Sequence, residues 1–231
     1  MVAAATRIFE QQTNLVVLVE TDHGPVVVKW FGWRHRLHYW LSPTFPGRAV
    51  TSWRIARRLV ECGARTPEPL FLHSRRKRGF IRENLVITRA IQPHQTLRSL
   101  LKSESPISEK ERAVGDLARS LARMHGAGIE HNDLTTGNFL VSDSGEVYIV
   151  DLNRAKRRTG LSTSQRAIDL ARISFSAANQ VEEQQLATSF FQQYGQTAGV
   201  DLDWCAIYWK YRARLVSKRR RKARIKELFG R

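Results

Sequence analysis

The stretch IEHNDLTTGNFLVSDSGEVYIVDLNRAKRR, Ile129 to Arg158, narrows the possible folds more than any other part of the chain. Asp133 follows His131 by two residues, and Asn138 follows Asp133 by five. Asp151 lies 13 residues beyond Asn138, at the end of the hydrophobic run Val147-Tyr148-Ile149-Val150. An aspartate in such a loop can orient an attacking hydroxyl and accept its proton. The asparagine can offer a neutral amide oxygen to a metal ion, and the second aspartate can hold that metal against nucleotide phosphates. A chain that uses these groups together must bring a loop, a strand end and a nucleotide into one cleft.

Each residue also has a plainer reading. Asp133 alone would be a turn aspartate, Asn138 a turn residue after Gly137, and Asp151 a strand terminator. The joint spacing favours the chemical reading: Asp133 as the catalytic base, with Asn138 and Asp151 as the metal pair for Mg²⁺, which prefers hard oxygen ligands. His131 reads as a structural residue of the loop. Lys29, in Val26-Val27-Val28-Lys29, lies 104 residues before Asp133 and fits a strand lysine that contacts the α- and β-phosphates. Arg89 and Ile91, beside the expected lobe boundary, complete the nucleotide-binding set. Asp169 either buttresses the loop by accepting backbone N–H bonds or is a helix-surface acid.

Length and composition allow this. A chain of 231 residues, 42% hydrophobic, can bury a sizeable core. No apolar run reaches the length of a membrane-spanning helix. The start, MVAAATRIFEQQ, does not read as a secretory signal. Two cysteines, Cys62 and Cys205, suggest neither a disulfide framework nor a zinc site, so a cytoplasmic location is expected. The net charge is +17, and the 22 residues from Lys210 to Arg231 supply +10 of it. A block of this kind seeks phosphates, whether on a nucleic acid, an anionic lipid surface or a phosphorylated glycolipid.

Apolar periodicity outlines the elements. Ile8–Glu20 reads as one strand, and Pro25–Phe31 as its hairpin partner across the turn Thr21-Asp22-His23-Gly24. Gly32–Pro46 is aromatic, basic and irregular. Arg48–Cys62 repeats apolar residues at helical spacing and stops at Gly63. Short strands follow at Leu70–Leu72 and Leu85–Ala90, then a linker at Gln92-Pro93-His94. A helix can start over Thr96–Lys102. Ser108–Gly126 reads as a strong helix with a capping box, Ser108-x-x-Glu111. The remainder beyond Gln165 looks helical. The order implies an α+β, two-lobed architecture: a β-rich N-lobe over 1–92, a mainly helical C-lobe over 93–209 and a basic C-terminal helix or tail over 210–231. A nucleotide would sit between the lobes.

The chain resembles the lipopolysaccharide core kinase family, which comprises Kdo kinases and core heptose kinases and is related to eukaryotic-type protein kinases. The resemblance runs from about Arg7 to about Gln180. Its carriers are Val28-Lys29-Trp30-Phe31, the stretch Arg48-Ala49-x-x-Ser52-Trp53-Arg54-x-Ala56-x-x-Leu59, the stretch Cys62-Gly63-Ala64-Arg65-Thr66-Pro67-Glu68-Pro69-Leu70, the His131–Asn138 loop and Val150-Asp151-Leu152-Asn153-Arg154. The resemblance implies a protein-kinase-like fold and ATP with magnesium as donor system. It also implies transfer to a sugar hydroxyl of the lipopolysaccharide inner core, at the cytoplasmic face of the inner membrane of a Gram-negative bacterium. The basic tail suits an anionic membrane surface and a phosphorylated glycolipid acceptor.

The chain departs from the kinase pattern: Asp151-Leu152-Asn153 replaces Asp-Phe-Gly, Asn132 stands where relatives often have Gly or Arg, and two larger gaps remain. No Gly-x-Gly-x-x-Gly exists, and the segment Glu10–Asn14, which should cover the phosphates, contains no glycine. The helix from Arg48 has Ser52 where kinases carry the acid that pairs with the strand lysine, so Lys29 either pairs with Asp151 or lacks such a partner. Three other readings stay open: a kinase-like phosphotransferase for another small molecule or a protein, a catalytically impaired scaffold at a membrane, and a nucleic-acid binder built on Ser217–Arg224. The last lacks any recognised nucleic-acid module around the basic run, so no nucleic acid is expected as partner.

Overall fold

The structure is a computed structural model that describes residues 7–11, 14–33, 39–92, 94–176, 179–200 and 202–229. Its N-terminal part is a five-stranded antiparallel sheet of β1 (Arg7–Gln11), β2 (Asn14–Val19), β3 (Val26–Phe31), β4 (Pro69–Lys77) and β5 (Phe80–Arg89), in the order β1-β2-β3-β5-β4. The single strand expected over Ile8–Glu20 is two strands that pair with each other, Gln11 opposite Leu15. The chain reverses between Gln11 and Asn14, so both halves satisfy their backbone groups across a ladder. Gln12 and Thr13 lie outside the described residues, as do residues 34–38 of the aromatic stretch and Pro93 of the linker.

The second hairpin is longer than the sequence suggested. Leu70–Leu72 and Leu85–Ala90 extend into β4 and β5, joined by Arg78 and Gly79 at φ of 51° and 82°. Two consecutive positive-φ residues make the tight turn whose twist matches the flanking strands. The added length is polar because β4 is a sheet edge, where Arg75 and His73 both pair with Glu83.

Helix α1 (Arg48–Glu61) packs on this sheet and ends as expected at Gly63. The Gly63 N–H bonds to the Val60 carbonyl (3.1 Å) and the Ala64 N–H to the Leu59 carbonyl (2.9 Å). This capping pair needs the left-handed φ of 71° that glycine adopts without a Cβ penalty. Ala49 joins Phe31 and Val86 in a small cluster under the sheet. Ile55, Ala56 and Leu59 belong instead to the large core that continues through the rest of the molecule. The helix is thus anchored in both lobes.

The C-terminal lobe is built on α2 (Leu97–Lys102), α3 (Ile107–Gly126), α4 (Thr163–Leu170), α5 (Gln180–Ala198) and α6 (Trp204–Phe229). Thr96 caps α2 by accepting from the Ser99 N–H at 3.1 Å. His94, placed in a linker by sequence, begins β6 (His94–Thr96), which pairs with the later strand Phe139–Ser142. The capping box expected at Ser108 is absent. Helix α3 starts at Ile107, and the Glu109 and Lys110 N–H groups both bond to the Pro106 carbonyl. Ser108 is already inside the first turn, so it cannot cap. A capping box does occur at α4, between Ser162 and Gln165. Helices α3 and α5 face each other across Leu117, Leu121, Leu186 and Phe190, all fully buried.

Short strands β7 (Ile129–Glu130), β8 (Phe139–Ser142), β9 (Val147–Ile149) and β10 (Lys156–Arg157) frame the loop segment. β7 pairs with β10 and β8 with β9, which draws the stretches that follow Glu130 and Ile149 together. Helix α6 runs unbroken through residue 210. The start of the helix is packed: Trp204 and Tyr208 are buried, and the Tyr208 hydroxyl donates to the Ile173 carbonyl at 3.0 Å. No helix of the described residues is long and apolar enough to cross a membrane.

Candidate active site

The loop after β7 is held from below by Asp169 on α4. Its carboxylate accepts the N–H groups of His131 (2.7 Å) and Asn132 (2.9 Å), with Arg172 at 3.1 Å and His125 at 3.4 Å. The side chain is fully buried, so it buttresses the loop and is not a helix-surface acid. Burial alone would raise its pKa. The hydrogen bond and charge of His125, and the His131 N–H, outweigh that and hold it below the usual carboxylate range.

His131 is also fully buried. Its Nε2–H donates to the Val150 carbonyl (3.1 Å), and its Nδ1 accepts the Asp133 N–H (3.2 Å). Burial lowers its pKa, so the ring is neutral and serves as a splint between two loops. Asn132 takes a left-handed φ of 67°, which Asn tolerates better than most residues, and its amide reaches the carbonyls of Glu130 and Arg154.

Asp133 is turned toward the cleft, its side chain 27% exposed, with Oδ2 3.3 Å from Nη1 of Arg154. The Asp133 carbonyl accepts from the Thr135 N–H (2.7 Å) and from Asn138 Nδ2 (2.8 Å). Because Asn138 spends its amide nitrogen there, its Oδ1 is left for another partner. The Val150 N–H in turn bonds to the Asn138 carbonyl at 3.0 Å, which fixes the two segments side by side.

Asp151 lies two residues beyond β9 and opens a 3-10 turn, Leu152–Arg154, at a left-handed φ of 63°. A non-glycine residue there costs of order 1–3 kcal/mol, a strain that the surroundings must hold. Two bonds do so: Lys29 Nζ and Asn153 Nδ2 both donate to Asp151 Oδ1. Burial would raise the Asp151 pKa, but the Lys29 charge and hydrogen bond prevail and lower it. Lys29 sits on β3 opposite Val16 and Val86, with Phe31 5.4 Å away along its strand. Of the two alternatives for Lys29, the structure shows the pair with Asp151. Ser52 of α1 is buried at the same cleft, and the only acid of α1, Glu61, pairs with Arg58 at the far end.

Two cavities meet at Asp151. One, of about 380 Å³, lies between the lobes and is lined by Val27, Lys29, Ile91, Asn138, Leu140 and Asp151, among others. The other, of about 300 Å³, opens in front of Asp133 and includes Arg48, Trp33, Asn153 and Arg154. Arg89 borders the first cavity, but its guanidinium is tied to Glu68 at 2.8 Å. The Ile91 carbonyl meets Nδ1 of His94. Among the described residues no three His, Cys, Asp or Glu side chains gather into a metal cluster. Asn138 and Asp151, one amide oxygen and one carboxylate, fit an ion that takes few protein ligands.

Sequence reasoning overlooked Arg154 and Asn153 as partners of the two aspartates, although both lie in the quoted Asp-Leu-x-Arg ending. It also overlooked a brace. Arg65 reaches Asp116 (2.7 Å) and Glu146 (3.1 Å), its carbonyl accepts the Ile149 N–H (2.9 Å), and the Thr66 hydroxyl donates to the Ile149 carbonyl (2.8 Å). The Thr-Pro stretch thereby clamps β9, and with it Asp151, to α3.

A small antiparallel sheet above a helical lobe, with a strand lysine, two loop aspartates and an asparagine around the intervening cleft, is a protein-kinase-like architecture. A solved structure described as WaaP in complex with acyl carrier protein superposes with a TM-score of 0.63 and 22% identity, covering 92% of this chain and 90% of that one. A sequence model of the lipopolysaccharide kinase (Kdo/WaaP) family matches residues 32–194, and the chain belongs to that family. It is 27% identical over 146 residues to a 3-deoxy-D-manno-octulosonic acid kinase of Vibrio vulnificus, covering 63% of this chain and 60% of the relative. It is also 27% identical over 140 residues to the lipopolysaccharide core heptose(I) kinase WaaP of Pseudomonas aeruginosa, covering 56% and 52%. The chain thus spans somewhat more than half the length of these curated relatives.

Proposed function

We propose that the protein is an ATP-dependent kinase that phosphorylates a sugar hydroxyl, of Kdo or heptose, in the lipopolysaccharide inner core. The observation that carries this reading is the meeting of Lys29, Asn138 and Asp151 on one cavity with Asp133 on the next, in a chain of this family. ATP occupies the cavity between the lobes, its base near Ile91 and the mouth at Arg89, its phosphates toward Lys29. Asn138 Oδ1 and Asp151 would hold Mg²⁺, which when bound offsets phosphate charge. Asp133 orients the acceptor hydroxyl and takes its proton. Asp169 and His131 hold the loop that carries it.

The test is transfer of label from γ-labelled ATP, with magnesium, to inner-core acceptors bearing Kdo alone or Kdo and heptose. Label in one glycolipid would establish the reaction and the acceptor together. A folded protein that labels neither would overturn the reading.

The same reading places the protein at the cytoplasmic face of the inner membrane, with the basic end of α6 on the anionic surface. Lys210, Arg214, Arg220 and Arg221 are exposed along this helix. Each such cation contributes roughly 1 kcal/mol near an anionic leaflet, and the attraction fades within a Debye length. Binding to vesicles rich in anionic lipid is therefore expected to weaken steeply as salt rises from 50 to 500 mM (about 14 to 4 Å of screening length). Equal binding to neutral vesicles in a co-sedimentation assay would count against this placement.

A further inference from the structure

We propose that Arg154 is the cation that meets the transferred phosphoryl group. The inference deepens the kinase reading above and rests on it. Phosphoryl transfer spreads negative charge over the equatorial oxygens, and a positioned cation there accelerates the step strongly. In this chain the loop between Asp133 and Asn138 reads Leu134-Thr135-Thr136-Gly137 and offers no basic side chain. Some other element must supply the charge beside Asp133.

Among the described residues, the neighbouring cations are engaged elsewhere or lie outside the cavities. Lys29 is bound to Asp151. Arg48 donates to Asn14 Oδ1 (3.0 Å) and to the Gly32 carbonyl, and stacks 5.1 Å from the Phe31 ring. Arg98 lies against Gly137 but lines neither cavity. Arg154 does line the second cavity, with Asp133, Asp151 and Asn153. One Nη touches Asp133 at 3.3 Å, and half of the side chain is open to the cleft, so the rest of the guanidinium fork is available to an incoming oxyanion.

Its backbone is held independently of its charge. The Arg154 carbonyl accepts from Asn132, and the turn closes through the Ala155 N–H to the Leu152 carbonyl at 3.1 Å. Side-chain substitutions therefore leave the turn in place. In the step itself, the acceptor oxygen forms a bond to the γ-phosphorus as the bond from that phosphorus to the β-bridging oxygen breaks. ADP leaves with that electron pair, and the hydroxyl proton passes to Asp133. Arg154 makes and breaks no covalent bond. It contacts the moving group and the carboxylate that faces it.

The experiment compares wild type with Arg154→Met and Arg154→Lys in two measurements. In the first, calorimetry gives affinities for ADP and for a non-hydrolysable ATP analogue, with magnesium. Arg154→Met is expected to weaken the analogue about tenfold, the worth of one charge-assisted contact, and to leave ADP unchanged. In the second, steady-state kinetics should show kcat down about 10³-fold with acceptor KM little moved, and partial recovery in Arg154→Lys. Equal losses for ADP and the analogue would overturn the proposal. So would a raised acceptor KM at unchanged kcat, which would make Arg154 an acceptor-binding residue. Should wild type transfer no phosphate, the kinase reading fails, and the nucleotide comparison still decides whether Arg154 meets the terminal phosphate.

Discussion

Asp133→Asn is expected to lower kcat for phosphate transfer by about 10²–10⁴-fold, the usual contribution of a positioned general base. The substitution keeps shape and removes only the acceptor for the proton. The loop does not depend on the carboxylate: its geometry runs through the Asp133 carbonyl, which binds Thr135 and Asn138, and through its N–H on His131. The one ion pair of the side chain among the described residues is to Arg154, with Arg154 half exposed, and such pairs contribute little to stability. Thermal midpoint and ATP affinity should therefore match wild type. Single-turnover transfer, with a melting curve beside it, separates the two quantities. Transfer at the wild-type rate would remove Asp133 from the chemistry.

Asp169→Ala is expected to act through the fold, destabilising the protein by about 3–5 kcal/mol, the range found when one partner of a buried charge network is removed. The variant leaves two loop N–H groups, Arg172 and His125 facing an empty space in a fully buried site. Orphaned donors carry the desolvation cost that the carboxylate now offsets. Denaturant unfolding measures it, and a midpoint within 0.5 kcal/mol (roughly the scatter of neutral surface changes) would refute the buttress. The sign with pH follows from the lowered folded pKa. The carboxylate's contribution is complete above its unfolded pKa, about 3.9, and is lost as pH falls through the lower folded value. Wild type should lose this component in acid, and Asp169→Asn should lack it at every pH.

Much of the fold is legible because burial leaves a period. Helices α1 and α3 show apolar residues three and four apart, and β2 and β3 show dense β-branched runs around a Gly turn. The β4–β5 hairpin was foreshortened because an edge strand carries its charges on purpose, and Arg75 and Glu83 read as loop. Strand β6 escaped because three residues, His94-Gln95-Thr96, have no period to show. In the site, spacing alone pointed to Asp133, Asn138, Asp151 and Lys29, since loop length sets where those backbones can go. Which nitrogen faces which oxygen was not legible. The contact of Arg154 with Asp133 depends on a 3-10 turn and a left-handed Asp151, and that of Arg65 with Asp116 on two lobes docking.

The absence of an acid at Ser52 has a consequence for control. In protein kinases the ion pair between the strand lysine and a helix glutamate must be in place for activity, and moving that helix is how such enzymes are turned off. Here Lys29 finds its carboxylate on the other side of the cleft, and α1 is sealed into both lobes through Ala49 and Leu59. Rotating this helix would break a core and disconnect no ion pair. Movement of α1 therefore cannot act here as it does in protein kinases, by parting the strand lysine from its carboxylate.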